Sequence, residues 1–589
     1  MCGITGHINF QKPVAVDDLQ AMNDAIKHRG PDGEGIFLNS SSSVGLGHRR
    51  LSFLDLSVAG KQPMESSAKN FISYNGEIYN YIELRNELKQ LGYTFHSHTD
   101  TEVILHGYHK WGVAVLSRLK GMFAFAIWDE SNQQLFLARD RFGIKPVYYY
   151  NQNGDFVFAS EIKAIKSNRS VSTTLDYSSF VDFFVYRYVP SPKTIWNEVK
   201  KLPPAHYLLL KNTGDVSIHR YWEIPLSEKI ISDKEAIVRF DELMYQSVKN
   251  HARSDVPIGA FLSGGYDSSA IVYYLSRFGY TPDTFSIGFE GWDVSEHLYA
   301  EMVSQKFNTK HTSLILSSQS LDILDHLAWV YDEPIGDISI IPTYLVSQEA
   351  SKKTKAVMSG EGSDEILVGY QWQKDYTKPH QTLFDRIKAL LSPKQKAYVL
   401  EYYAECMSMG RFNDSELRKM LHPDLHQHIQ SDPEWFYSSL YNFSIPDLKA
   451  MQLLDVKHFM GEQVLTKIDR ASMANSLEVR VPFLDHEIAE FVFQLDTRVY
   501  YKPQETKHLL YQNIKHHLPQ EILNRKKQGF VGPDTYYMNM DWYKDQLNNS
   551  KLVEAKIVNE QYIQVLFNAK DHWRLWKLAV METWYRKWI

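Results

Sequence analysis

The sequence predicts two folded units in series. An α+β unit of packed sheets with a few covering helices comes first, and an α/β unit with a parallel sheet and a helical C-terminal part follows. Three observations carry this reading. Up to about Trp222, short apolar runs alternate with turn residues. From Val256 a buried strand, a glycine turn and a helix follow one another, as in α/β folds. At 589 residues the chain also exceeds one comfortable hydrophobic core.

In the first unit, strands are expected from Gly3 to Phe10, at Phe71 to Tyr74, Phe123 to Trp128, Leu135 to Ala138 and Val147 to Tyr150, with Asn153-Gly154-Asp155 as a turn. One helix is expected from Tyr79 to Leu91, where Tyr81, Leu84, Leu88 and Leu91 share a face and Gly92 stops it. The pattern changes around Ile224-Pro225-Leu226-Ser227, which places the boundary between units 1–222 and 223–589. The second unit opens with an amphipathic helix from Asp233 to Lys249. Strands follow at Val256 to Leu262, Thr284 to Phe289 and Ala356 to Met358, with a helix from Ser268 to about Phe278. Beyond Gln371 the text is helical and aromatic, ending in Trp573, Trp576, Trp584 and Trp588.

Sixty-four basic against 70 acidic residues give a net charge of −6, which argues against a nucleic-acid footprint or a polybasic membrane patch. No apolar run approaches the roughly 18 residues of a membrane span, and the start reads as a strand rather than a signal peptide. The expected setting is the cytoplasm. The two cysteines, Cys2 and Cys406, make neither a disulfide framework nor a Cys-rich zinc site.

Cys2 would become the first residue once Met1 is removed. Its own α-amine, titrating near pH 8, could then act as general base for the thiol. A buried apolar role is the competing reading. Ser263-Gly264-Gly265-Tyr266-Asp267-Ser268-Ser269 joins a buried strand to a helix, a geometry that presents free N–H groups and a positive dipole end to a phosphate. The hydroxyls of Ser263, Ser268 and Ser269 can add hydrogen bonds, and Asp267 would need Mg²⁺ between itself and phosphate. A second turn, Ser359-Gly360-Glu361-Gly362-Ser363-Asp364-Glu365, follows another strand and could face the same crevice. Asp267 and Asp364 would then cradle Mg²⁺, unless the second turn is simply a solvated acidic loop.

Together these segments resemble the glutamine-hydrolysing asparagine synthetases, from Met1 to about Gly529. The likeness includes Arg29-Gly30-Pro31-Asp32, Tyr74-Asn75-Gly76-Glu77-Ile78-Tyr79-Asn80, Arg139-Asp140-Arg141-Phe142-Gly143-Ile144-Lys145-Pro146 and Leu477-Glu478-Val479-Arg480-Val481-Pro482-Phe483-Leu484-Asp485. The resemblance implies an N-terminal-nucleophile glutaminase, a sandwich of antiparallel sheets between helices, joined to an ATP pyrophosphatase-type synthetase. Glutamine, ATP and aspartate are the implied small-molecule substrates and Mg²⁺ the implied ion. A homodimer is expected only from the family. Cys2 would attack the glutamine amide, with Asn75 and the Gly76 N–H on the oxyanion, Arg50 on the substrate carboxylate, and Glu77 and Asp100 on its ammonium group. ATP would lie against Leu262, Ser263 to Gly265, Asp267 to Ser269, Ile287, Ser359 and Gly360. Glu361 would deprotonate the incoming nitrogen, and Lys467 or Arg470 would neutralise phosphate charge.

Three departures concern the acceptor. Tyr266 is bulky where the family commonly has a small aliphatic residue. Asp337-Ile338-Ser339-Ile340-Ile341 lacks an arginine that many relatives carry there. Arg470 replaces a frequent lysine. The segments from Gln371 to Asp447 and after Gly529 match poorly. The alternative acceptor is therefore another carboxylate, such as a sugar uronic acid or a secondary metabolite.

Overall fold

The computed structural model describes residues 2–292, 295–377, 395–525 and 532–589. Two six-stranded antiparallel sheets make the first unit. One runs in the order Val199–Lys201, Tyr148–Gln152, Asp155–Ala159, Gly3–Ile8, Val44–Arg50 and Gly33–Leu38. The other runs Val216–Arg220, His206–Lys211, Gln134–Arg139, Gly121–Asp129, Asn70–Ile78 and Met64–Glu65. Their facing sides interdigitate, with Ile4, Ile8, Val44 and Leu46 packed among Ala124, Ala126, Trp128 and Leu137. Helices Val16–Ala25 and Ile162–Lys166 cover the first sheet, and helices Tyr81–Gln90 and Asp100–Trp111 cover the second. The sandwich of sheets between helices is thus observed.

Several strands run longer than the apolar text suggested, although the first ends at Ile8 rather than Phe10. Asn70–Ile78 pairs along its whole length with Gly121–Asp129, which draws Asn75, Gly76 and Glu77 into a strand. Asn153 and Gly154, at φ 54° and 80°, form a tight hairpin turn of the type that matches strand twist. The helix expected from Tyr79 begins at Tyr81, and Leu91 is exposed beyond its end.

In the second unit five parallel strands lie in the order Lys310–Leu316, Asp283–Phe289, Ile258–Phe261, Ala356–Met358 and Glu478–Arg480. The strand order reverses between Ile258–Phe261 and Ala356–Met358, so a crevice opens beyond their carboxyl ends. Helices Ile340–Ser351 and Thr466–Met473 each lead into the start of a parallel strand. Their N-termini therefore lie on the carboxyl side of the sheet, the side of the crevice. The eleven-residue π-helical stretch Asp455–Leu465 runs into the second of them. Such stretches are rare and cluster at functional sites.

The last helix, His572–Trp588, is a clamp. Trp576 Nε1 donates to Gly336 O at 3.1 Å, Trp584 Nε1 to Asp332 O at 2.7 Å and Trp588 Nε1 to Ala328 O at 2.9 Å. These bonds fix the loop before helix Ile340–Ser351. The same region meets the first unit, where Gly336 N donates to Arg187 O at 2.7 Å.

Candidate active sites

The thiol of Cys2 is buried at the head of the first strand, and its Sγ lies 3.8 Å from Leu51 O. Burial raises its pKa above the ordinary thiol range. Met1 is outside the described residues. The Cys2 N–H donates to Asn75 Oδ1 at 3.1 Å, while the buried Asn75 Nδ2 has no partner among the described residues. An amide held by one end and free at the other is a pre-oriented donor. Gly76 follows because its backbone runs against the neighbouring strand, where a Cβ would strike the Met122 carbonyl.

Around the thiol a cavity is lined by Arg50, Leu51, Gln62, Tyr74, Gly76, Glu77 and Asp100 among others. Asp100 Oδ2 accepts from Tyr74 OH at 2.8 Å and Ile78 N–H at 2.9 Å. Burial still pushes its carboxyl up to about 6. Glu77 is raised too, by burial, although Arg480 Nη2 lies 3.4 Å away. Arg50 donates to the carbonyls of Leu54 at 3.2 Å, Asp55 at 2.6 Å and Ser57 at 3.2 Å, so its guanidinium anchors the loop that rims the cavity.

In the second unit the glycine turn leads into helix Tyr266–Arg277, two residues earlier than expected, so Asp267 sits in the first turn. Gly264 is left-handed at φ 70°, and a Cβ there would lie 2.5 Å from Tyr299 Cβ. The serine hydroxyls do not all face outward. Ser263 Oγ and Ser268 Oγ are 3.0 Å apart and close the turn, and Ser269 Oγ is buried without a partner among the described residues. Leu262 N donates to Phe285 O at 2.8 Å, and Ile287 is buried on that neighbouring strand.

The two turns touch. A Cβ on Gly360 would lie 2.7 Å from Asp267 Cβ, and Ser363 Oγ donates to Asp267 Oδ1 at 2.7 Å. Ser359 is tied to the next strand through Arg480 O at 2.9 Å. Beside them, Glu361 Oε2 is buried without a partner among the described residues. Asp267 and Asp364 converge on one cation, the ammonium of Lys507, at 2.5 and 2.8 Å. These two carboxylates are the residues that would hold a Mg²⁺ ion here.

Lys507 had no signal in the sequence. It lies in no strand-turn-helix motif, and its left-handed backbone, φ 53°, belongs to a residue type that gives no warning of it. Tyr266 OH donates to Leu523 O at 2.9 Å, so its bulk packs toward the C-terminal segment.

Arg470 is a correction. It is fully buried with its guanidinium 3.1 Å from Glu161 and 3.4 Å from Asp332, part of an ion cluster between the two units, and none of its contacts reaches the phosphate turn. Its three guanidinium nitrogens make no hydrogen bond among the described residues, but their ion pairs lie in this interior cluster and not at the turn. Lys467 keeps a place on the crevice side, in the first turn of its helix, with Nζ 2.7 Å from Ser339 Oγ and 3.7 Å from Asp337.

Comparison with known proteins fits both halves. Residues 1–222 match a glutamine amidotransferase domain and residues 239–586 match asparagine synthase. The molecule is thus an amidotransferase unit fused to a synthetase unit. It is 32% identical to asparagine synthetase [glutamine-hydrolyzing] 1 of Bacillus subtilis, over 99% of this chain and 96% of that one. It is 34% identical to a putative asparagine synthetase of Methanocaldococcus jannaschii, over 82% of this chain and 100% of that one. A fungal relative named amidase chry2, from Gibberella zeae, is 26% identical over 91% of this chain and 90% of its own. The chain belongs to the glutamine-hydrolysing asparagine synthetase family and is a carbon–nitrogen ligase with glutamine as amido donor.

Proposed function

We propose that the chain hydrolyses glutamine at Cys2 and uses the ammonia to amidate an ATP-activated aspartate, yielding asparagine, AMP and pyrophosphate. The observation that carries this reading is the Asn75 amide, anchored to Cys2 at one end and unpartnered at the other.

With Met1 removed, the Cys2 amine takes the thiol proton as Sγ attacks the side-chain amide carbon. The oxyanion forms against Asn75 Nδ2 and the Gly76 N–H, and the amine returns the proton to the departing ammonia. Glu77 and Asp100 hold the substrate ammonium group, Arg50 turns to its carboxylate, and water then releases glutamate. At the second site an acceptor carboxylate oxygen attacks the α-phosphorus of ATP lying on the glycine turn, and pyrophosphate leaves. A Mg²⁺ ion held by Asp267 and Asp364 would supply positive charge to the phosphates. Lys467, rather than Arg470, and Lys507 beside the two carboxylates would add positive charge from the protein side. Ammonia adds to the acyl carbon, Glu361 takes a proton from the nitrogen, and AMP departs.

Pyrophosphate release with glutamine and a panel of carboxylates tests the reading. Aspartate should be the acid that drives it. Turnover with a uronic acid or another metabolite, and none with aspartate, favours the second reading that the amidase relative keeps open. Cys2→Ala should abolish glutamine-dependent product and leave ammonia-dependent product intact. Loss of both in a folded variant would contradict two separable sites.

A further inference from the structure

Buried arginines in this molecule are paired with one exception among the described residues. Arg29 meets Glu161 and Asp469, Arg139 donates to three carbonyls, Arg470 meets Glu161 and Asp332, and Arg480 meets Glu478. Arg187, only 5% exposed, makes no side-chain hydrogen bond or ion pair among the described residues, and its Nε is enclosed without a partner. Beside it Lys577, fully buried, is held by the carbonyls of Phe184 and Gly410, each at 2.9 Å, with no carboxylate. Burying a guanidinium unpaired costs several kcal/mol. The nearest acid that bears on it, Asp337, is already bound by Gln463 Nε2 at 2.6 Å and Ser339 Oγ at 2.7 Å and shared with Lys467. Burial, with Arg187 and Arg574 nearby, holds the Lys577 pKa well below the usual lysine range, so the positive charge of this neighbourhood rests on Arg187.

Its position gives that charge a purpose. Arg187 terminates helix Tyr177–Tyr186 in a left-handed turn, φ 73°, and its carbonyl accepts from Gly336 N, one residue before Asp337. Asp337, Ser339 and Lys467 stand on the carboxyl side of the parallel sheet, as does Glu361. Against burial, Lys467 and the Arg187 guanidinium together hold the Asp337 carboxyl well below the usual carboxylate range, which sets Arg187, a cation from the first unit, beside the Asp337–Lys467 pair at the edge of the synthetase crevice.

We propose that Arg187, with Lys577 behind it, is the subsite for a second carboxylate of the acceptor, the one that is not activated. This rests on the synthetase reading above and narrows it: the substrate is a dicarboxylic acid. The guanidinium fork suits a carboxylate bidentately, which lysine at the same place would not reproduce.

The test compares aspartate with β-alanine, which keeps the reacting carboxylate and lacks the other, in pyrophosphate release with ammonia as nitrogen donor. Arg187→Met should raise KM for aspartate by at least tenfold with kcat changed less than about threefold, and leave the weak β-alanine reaction unchanged. Arg187→Lys should recover part of the loss. An unchanged aspartate KM in Arg187→Met, or equal losses for both acids, would overturn the subsite. So would protection against thermal unfolding by chloride or phosphate that Arg187→Met abolishes without altering KM, since that marks a resident inorganic anion. If Arg187→Met does not fold, Lys577→Met reads the same difference between the acids. Failure of every acid to release pyrophosphate from the wild-type protein would instead refute the synthetase reading.

Discussion

At the scale of single residues, burial sets the chemistry of the glutamine site. Asp100 is enclosed in the first turn of its helix, and burial lifts its carboxyl to about 6 despite bonds from Tyr74 and the Ile78 N–H. A carboxylate that recognises an ammonium group must be ionised. As pH falls through about 6, the proton competes with the substrate. We expect kcat/KM for glutamine to fall about tenfold per pH unit below that point, while ammonia-dependent turnover keeps its own profile. Asp100→Asn should have a lower plateau and lose this acid limb. A limb that survives in Asp100→Asn would assign it to another group.

At the scale of elements, both sites depend on backbones that approach too closely for a side chain. Gly360 is one such place. A methyl group there would lie 2.7 Å from Asp267 Cβ, pushing the second turn off the first and spreading the pair of carboxylates around Lys507. Gly360→Ala should raise KM for ATP about tenfold or more while glutamine hydrolysis stays near wild type, read by steady-state kinetics of the two half-reactions. Equal loss in both would mean that the substitution unsettles the whole fold.

These turns were legible in the sequence because strand, glycine and helix follow one another within a few residues. Cys2, Asn75 and Gly76 were legible through family resemblance, although the long strand that aligns them was only partly visible as Phe71 to Tyr74. Lys507 and Arg187 were not legible. Each is one cation at a left-handed position beside a helix end, and what surrounds it, Asp267 and Asp364 for Lys507 and the Gly336–Asp337 turn for Arg187, comes from distant parts of the chain, so no local pattern marks it. Arg470 was misread for the same reason. It stands three residues after Lys467, a neighbouring position on the same helix, so spacing alone does not separate the two; what separates them is the pair of distant carboxylates, Glu161 and Asp332, that Arg470 meets.

At the scale of the whole molecule, the two units share apolar clusters, such as Phe180 and Tyr186 with Tyr403 and Trp576, and a buried charged core lies within the same junction. Glu161 is 1% exposed and accepts from Arg29 at 2.7 Å and Lys163 at 2.6 Å, with His28 and Arg470 each at 3.1 Å. Burial alone would raise its pKa, but Lys163, His28 and Arg470 outweigh burial and hold it well below the usual glutamate range. A depressed carboxyl contributes stability above its unfolded pKa, about 4.3, and that contribution is lost as pH falls toward the folded value.

Glu161→Gln keeps the shape, removes the charge and leaves several buried cations without their shared partner. It should cost about 3–5 kcal/mol at pH 7 in urea unfolding, and the gap from wild type should narrow below about pH 4.3. Arg470 comes from the synthetase side of this cluster and Arg29, which also donates to Cys2 O at 3.1 Å, from the glutaminase side. The loosened junction should therefore uncouple the reactions, with more glutamate formed per AMP released. An unchanged glutamate-to-AMP ratio in a destabilised Glu161→Gln would confine the cluster to holding the units together and exclude it from the transfer of ammonia between them.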